Sequence, residues 1–305
     1  MDIVFNPSCS DQKRRELAYS GALLVLPATA TSMALTEHAR QMICQAFSGR
    51  DPRHIHRALA VPETVDIMTR LKPAFIHHSE TRQLLRNVLL EAGCAPADTY
   101  QDVPRLRAAY PSTYLTTGIA YAHHPHRDTW YSAPPCQLNW WMPLWDYEAE
   151  QGLAFHPNYF GTPIANSSGS FNYYRWNADG RKNAAQHTKS DTRVQPRSLE
   201  PLVLEPALRP VVPAGAMIVF SGDQLHSTVP NHTDLARWSI DFRTVSLGDL
   251  ESRRSAPVPD SACTGTSLRD FRRVLDFEAM PDATVARYDS GQVDDGVAVY
   301  APASA

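Results

Sequence analysis

The sequence predicts a mainly β protein with flanking helices, a sandwich or barrel that follows a helical N-terminal third. Three observations predict it. Beyond residue 95, short runs of β-branched and aromatic residues are cut by Pro, Gly, Asn and Asp. Before residue 95, apolar residues recur at helical spacing. No Gly-rich phosphate loop interrupts the chain, and the strands lie too close together for βαβ units, which sets nucleotide-binding folds aside. The organisation expected is a single domain over 1–305: strand and helices in 1–94, a β core in 95–246 with a polar insert near 177–200, and a C-terminal extension in 247–305.

Composition narrows the function classes. With 43% hydrophobic and 20% charged residues, the 305-residue chain has enough apolar surface to bury a sizeable core and too little charge for wholesale disorder. Its 29 Lys and Arg against 32 Asp and Glu give a net charge of −3, so no basic field exists to wrap a nucleic acid or dock on an anionic membrane. Cys9, Cys44, Cys94, Cys136 and Cys263 are odd in number and far apart, without a C-x-x-C pair, which argues against a disulfide framework or a thiolate zinc site. A reducing cytoplasm is the expected location, since no leader-like or membrane-length apolar run is present either.

The elements follow in order. Gly21–Pro27 reads as a buried strand, and 30–48 as a helix with Leu35, Ala39, Met42, Ile43, Ala46 and Phe47 on its apolar side. Pro62–Gly93 reads as two helices with a break near Pro73. His77 and His78 on that stretch stand about 100° apart on a helix and are expected to be solvated or to cap. Strands are expected at Thr116–Tyr121, Gln137–Trp145, Leu153–His156, Ala216–Phe220 and Arg237–Val245. Residues 177–200 are polar and read as a long loop between strands, and 251–266 as the start of the extension.

The chemistry is concentrated in histidines and acids. In an H-x-D tripeptide on a strand the two side chains share a face and can chelate. A third ligand from a distant strand would complete a facial set of two imidazoles and one carboxylate, which leaves three adjacent positions of an octahedral iron open. With 12 histidines in the chain, about one H-x-D is expected by chance, so the pattern needs company. Two occur. His232-Thr233-Asp234 lies in a polar stretch that reads as a turn, and no later histidine follows it. His126-Arg127-Asp128 has the better neighbourhood: Pro213-Ala214-Gly215 makes a turn, Ala216–Phe220 a buried strand, and His226 stands shortly after, with Arg237 eleven residues beyond it.

On these residues the sequence resembles the iron(II)- and 2-oxoglutarate-dependent dioxygenases, and within them the phytanoyl-CoA dioxygenase-like branch. The likeness covers roughly 95–245. It implies a double-stranded β-helix core, the jelly roll of cupin-like proteins, and iron(II) held by His126, Asp128 and His226. It further implies that 2-oxoglutarate is a cosubstrate beside O2, its distal carboxylate paired with Arg237, a fork suited to bidentate grip, and assisted by the Thr228 hydroxyl. Arg243 competes with Arg237 for that role, and spacing favours Arg237. Along Gln137–Trp141, either Gln137, Asn139 and Trp141 or Leu138 and Trp140 face the interior; the polar set suits a wet site. The resemblance implies hydroxylation or desaturation of a C–H bond with release of succinate and CO2, since the acid that halogenating relatives lack is present as Asp128.

Thirteen of the 28 aromatic residues fall within 130–176, a density that suits either a small-molecule pocket or core packing. The insert carries Arg181, Lys182, Lys189, Arg193 and Arg197 against Asp179, Asp191 and Glu200, and is expected to close as a lid over a polar or anionic small-molecule substrate. His123, His124, His156 and His187 have no assigned part. Two other readings stay open: a cupin-like metal enzyme that uses no keto acid, and a non-catalytic jelly-roll binding module.

Overall fold

The computed structural model describes residues 1–289, so the last sixteen residues of the expected C-terminal extension lie outside the described residues. The elements in chain order are β1 (Ile3–Phe5), α1 (Asp11–Tyr19), β2 (Leu23–Leu26), α2 (Ala30–Ala46), α3 (Val61–His77), α4 (Ser79–Glu91), β3 (Thr99–Gln101), β4 (Arg105–Ala109), β5 (Leu138–Pro143), β6 (Leu153–Phe155), α5 (Tyr173–Arg175), β7 (Met217–Ser221), β8 (His226–Thr228), β9 (Arg237–Ser246), α6 (Leu247–Ser252), β10 (Arg272–Arg273) and α7 (Asp282–Ala286), with short 3₁₀ turns between them.

Eight strands form one sheet in the order β1-β2-β7-β5-β9-β3-β10, with β4 also on β9, and β6 and β8 form a second, small sheet. Strand β9 is the spine: β5 runs antiparallel along one edge, while the other edge takes β4 over Arg237–Asp241 and β3 over Thr244–Ser246. Period-two alternation then sorts β5 and β9 into two faces. Leu138, Trp140, Met142, Trp238, Ile240 and Phe242 point outward into the main core, where they meet Leu35, Ala39 and Ile43 of α2, Met68, Leu71 and Phe75 of α3, and Leu85, Val88 and Leu89 of α4. The opposite face is closed by the small sheet: Trp141, Ile218 and Phe220 pack on Leu153 and Phe155, with the Phe155 and Phe220 rings 4.8 Å apart. The helices thus cover one side of the large sheet, and its other side carries this apolar cluster together with the buried polar Gln137, Asn139, Arg237 and Ser239.

Local chemistry explains most boundaries. Thr29 and Ser32 cap the start of α2 reciprocally. The expected break near Pro73 is absent: α3 runs through Pro73, which is exposed, because Met68, Leu71 and Phe75 keep their face buried, and the break falls at His78, whose ψ of 131° is extended. The expected strand Thr116–Tyr121 is instead a 3₁₀ turn, Gly118–Ala120. Gly118 has φ +57°, incompatible with a strand, and its N–H donates to Asp191 Oδ2 of the insert at 3.0 Å rather than to a sheet. Strand β5 stops at Pro143, two residues before the expected end. The other expected strands are present within a residue or two as β2, β6, β7 and β9. Between α5 and β7 the insert forms only short turns at Trp176–Gly180 and Ala184–Gln186.

Candidate metal centre

Three segments bring the candidate ligands together. His226 opens β8 and pairs with Phe155 of β6. On the other edge of β8, His126 and His226 exchange both backbone hydrogen bonds, each 3.0 Å, as a two-residue antiparallel bridge. Directly paired residues project to the same face, so the two rings lie together, 4.4 Å between centroids. Arg127 is extended, so Asp128 returns to the face of His126, but the strand ends there: Asp128 begins a 3₁₀ turn and its N–H donates to Gly222 O. One ligand atom from each of His126, Asp128 and His226 fits within 4.8 Å of the others, and all three residues are buried.

The hydrogen bonds fix which atoms are presented. His126 Nδ1 lies 2.8 Å from His124 O and His226 Nδ1 lies 2.9 Å from Gln224 O. A carbonyl only accepts, so each Nδ1 carries a proton and donates it, which leaves each Nε2 as the ring nitrogen free for the site. His126 Nε2 faces Asp128 Oδ1 at 3.4 Å, a separation that a proton on Nε2 or a shared cation would each satisfy. Burial, then the neighbouring His126, push His226 down to about 3, which keeps its ring neutral. Burial alone would raise Asp128, but the Arg243 guanidinium and the imidazoles hold it well below the usual carboxylate range. Its Oδ2 accepts from Gln137 Nε2 at 3.0 Å and from Arg243 Nε at 3.2 Å, which leaves Oδ1 for the histidine side.

Gln137, Asn139 and Trp141 are on the interior face of β5, while Leu138 and Trp140 point into the outer core. Gln137 Nε2 is shared between Asp128 and Asn139 Oδ1, and Gln137 Oε1 is buried without a partner. Arg237, at the start of β9 and 5% exposed, donates from Nε to Gln151 O and from Nη1 to Ser239 Oγ, and its guanidinium lies 5.3 Å over the Trp141 ring. Among the described residues no carboxylate pairs with it, and burial brings it down to about 10. Arg243 differs: it is spent on Asp128 and Asp102. Thr228 follows His226 on β8, and its Oγ1 accepts the His123 N–H at 3.2 Å. A cleft of about 400 Å³ is walled by Ala109, Tyr110, Leu115, His123, Thr228 and Val229, and His126, Asp128 and His226 are not among its lining residues.

His232-Thr233-Asp234 is a turn, as expected, with His232 Nδ1 near Ser112 Oγ and Asp234 paired with Arg57 and His56. Among the unassigned histidines, His123 is a finding that its sequence context did not signal. Its ring stacks on His126 at 4.9 Å, and its Nδ1 is buried with no hydrogen-bond partner. His156 bridges Leu204 O and Ser227 Oγ. His124 accepts from Tyr121 and donates to Pro196 O of the insert at 2.7 Å. The insert also meets Tyr131, whose ring lies 5.4 Å from His126, through Gln195 and Pro196.

No protein-family model matches the chain, and no curated protein sequence matches it. Solved structures do. EvdO2 from Micromonospora carbonacea var. aurantiaca, in complex with 2-oxoglutarate, is 16% identical over 81% of this chain and 94% of its own, with a TM-score of 0.47. SnoK, a non-heme alpha ketoglutarate dependent carbocyclase from nogalamycin biosynthesis, is 15% identical over 83% and 93%, with a TM-score of 0.43. SnoN, the alpha ketoglutarate dependent epimerase of the same biosynthesis, is 14% identical over 77% and 84%, with a TM-score of 0.41. At TM-scores under 0.5 the reading of the site rests on its own atoms.

Proposed function

We propose that the chain is a non-haem iron(II)- and 2-oxoglutarate-dependent oxygenase with a jelly-roll core, acting on a C–H bond of a small-molecule metabolite or biosynthetic intermediate. The observation that carries this is the convergence of buried His126, Asp128 and His226, one ligand atom of each within 4.8 Å of the others, with both Nδ1 atoms committed to carbonyls. Two imidazoles and one carboxylate suit a ferrous ion with open positions. When bound, the metal and its keto-acid cosubstrate supply the oxidising chemistry.

The chain's own residues do the rest. His124 O and Gln224 O lock the tautomers of His126 and His226, while Gln137 and Arg243 turn Asp128 so that Oδ1 faces the ligand set. Arg237 is the buried guanidinium left for an anion, stacked on Trp141, and is assigned to the distal carboxylate of 2-oxoglutarate with the Thr228 hydroxyl. Its freedom from acids, against the full engagement of Arg243, supports Arg237 for this part. Tyr131 and the insert residues Gln195 and Pro196 cover the His126 side and limit water.

Anaerobic addition of iron(II) and then 2-oxoglutarate is the test. A visible charge-transfer band that needs both components, is lost in His226→Ala, and is lost in Arg237→Ala with metal still bound supports the assignment. Metal binding with no response to 2-oxoglutarate points to a cupin-like enzyme without a keto acid, and no metal binding to a binding module; either result overturns the proposal.

A further inference from the structure

A second cluster of metal-binding side chains lies in the helical layer. His38, in the third turn of α2, has an imidazole only 8% exposed, set against the junction of α3 and α4. Its Nε2 is held at 2.8 Å by the hydroxyl of the buried Thr81. That hydroxyl can take the Nε2–H, which turns Nδ1 into a lone-pair donor facing Glu80 Oε2 at 3.4 Å. His78, the extended residue between the two helices, sets its ring 4.9 Å from that of His38. Its own tie is a single long bond, 3.3 Å, from the Glu80 N–H to Nδ1. One donor atom each from His38, His78 and Glu80 lies within 4.8 Å of the other two.

We propose that His38, His78 and Glu80 form a second divalent-metal site, for zinc(II) or a similar borderline ion, that pins α2 to the α3/α4 junction. Two imidazoles and a carboxylate satisfy three positions of a tetrahedral zinc, and the exposure of His78 and Glu80 leaves the fourth to water. Thr81 supplies the outer hydrogen bond that zinc-bound imidazoles keep, and it is buried where it can hold the ring in place. The site explains why a histidine rather than an ordinary apolar residue occupies position 38 of a face that otherwise buries Leu35, Ala39 and Ile43. In the tautomer that accepts the Glu80 N–H, His78 has only its Nδ1 lone pair to offer an ion, so metal binding would replace that long capping bond. The ion would bridge elements far apart in sequence, His38 on α2 and His78 and Glu80 at the α3/α4 junction.

Zinc titration of metal-free protein, followed by calorimetry and by competition with a chromophoric chelator, tests this. Wild type should take up two equivalents, and His126→Ala/His226→Ala one. His78→Asn, which keeps a capping side chain, and Glu80→Gln should each weaken the remaining site at least tenfold in that background while the circular dichroism spectrum stays unchanged. If the double variant of the first site binds no zinc, or if its single equivalent survives His78→Asn and Glu80→Gln together, the second site does not exist. A failure of the first site reads differently: wild type would then bind one equivalent that His78→Asn removes.

Discussion

At the residue scale the consequential pair is Arg237 and Arg243, two arginines on one face of β9 with different work. Arg243 faces Asp128 and Asp102, and Arg237 faces no described acid. Arg237→Lys keeps the charge and loses the fork, so its apparent affinity for 2-oxoglutarate, read from the charge-transfer titration, should fall by one to two orders of magnitude, about 1.4 to 3 kcal/mol, with iron binding intact. Equal affinity in the variant would move the anion site elsewhere. Asp223 gives a second residue-level expectation. It lies in the turn before His226, fully buried, with Oδ1 3.7 Å from Arg127 and 3.2 Å from the Thr129 hydroxyl that donates to it, and Asp260 shares the same guanidinium. Burial first, and then Asp260, raise it to about 7 against the opposing pull of Arg127. The folded state therefore binds a proton that the unfolded chain has already released near pH 4, so this contribution to stability is full below pH 4 and is lost as pH rises through about 7. Asp223→Asn should flatten the fall in urea midpoint between pH 5 and 8; an unchanged slope would show that Asp223 titrates normally.

The element that most needs its neighbours is the insert. Arg193 ties it down through Asp191, through Gly118 O and by stacking 5.2 Å over Trp176, while Thr117 donates to His187 O. Gly118 is the point of closest approach: a Cβ there would strike the carbonyls of Ala184 and His187, and φ is +57°. Gly118→Ala should therefore detach the insert at a cost of about 1–3 kcal/mol locally, seen as faster proteolysis between 177 and 200. Deleting 178–198 should raise succinate release without product; unchanged coupling would remove the lid role. This element also marks the limit of what the sequence makes legible. The long strands declare themselves, because Trp238-Ser239-Ile240-Asp241-Phe242 alternates faces over a full ladder. Strands β1, β3 and β10 span two or three residues and α1 is polar, so they are set by partners far along the chain that no local pattern encodes. Pro73 misleads for the same reason: tertiary burial of one helix face outweighs a single missing hydrogen bond. In the candidate centre, His126, Asp128 and His226 are legible through the family resemblance their motifs carry, and the polar face of Gln137 and Asn139 through alternation. The clamp of Arg243 on Asp128 and the stacking of His123 on His126 are not, since each depends on chain crossings.

Across the whole molecule the large sheet separates two tasks, an apolar face for the helices and a mixed face that holds the polar side chains of the candidate site. Trp140 shows the first: it is 1% exposed, stacks on Phe242 at 5.6 Å and donates to Thr244. Trp140→Ala should cost about 3–5 kcal/mol in urea unfolding and leave the remaining folded fraction able to bind metal. Iron(II) at a hundred times its dissociation constant should stabilise wild type by about 2.7 kcal/mol, and most of that gain should vanish in His226→Ala. The bridge between His126 and His226 carries a wider consequence. Two residues a hundred positions apart are rungs of one backbone ladder, so the spacing of their imidazoles is set by peptide hydrogen bonds and does not depend on an ion. If the proposed ligand set holds a metal, such a centre should behave as a socket: stripped by a chelator, the protein should accept a fresh ion at once without refolding, and whichever divalent ion is abundant during expression should occupy it first.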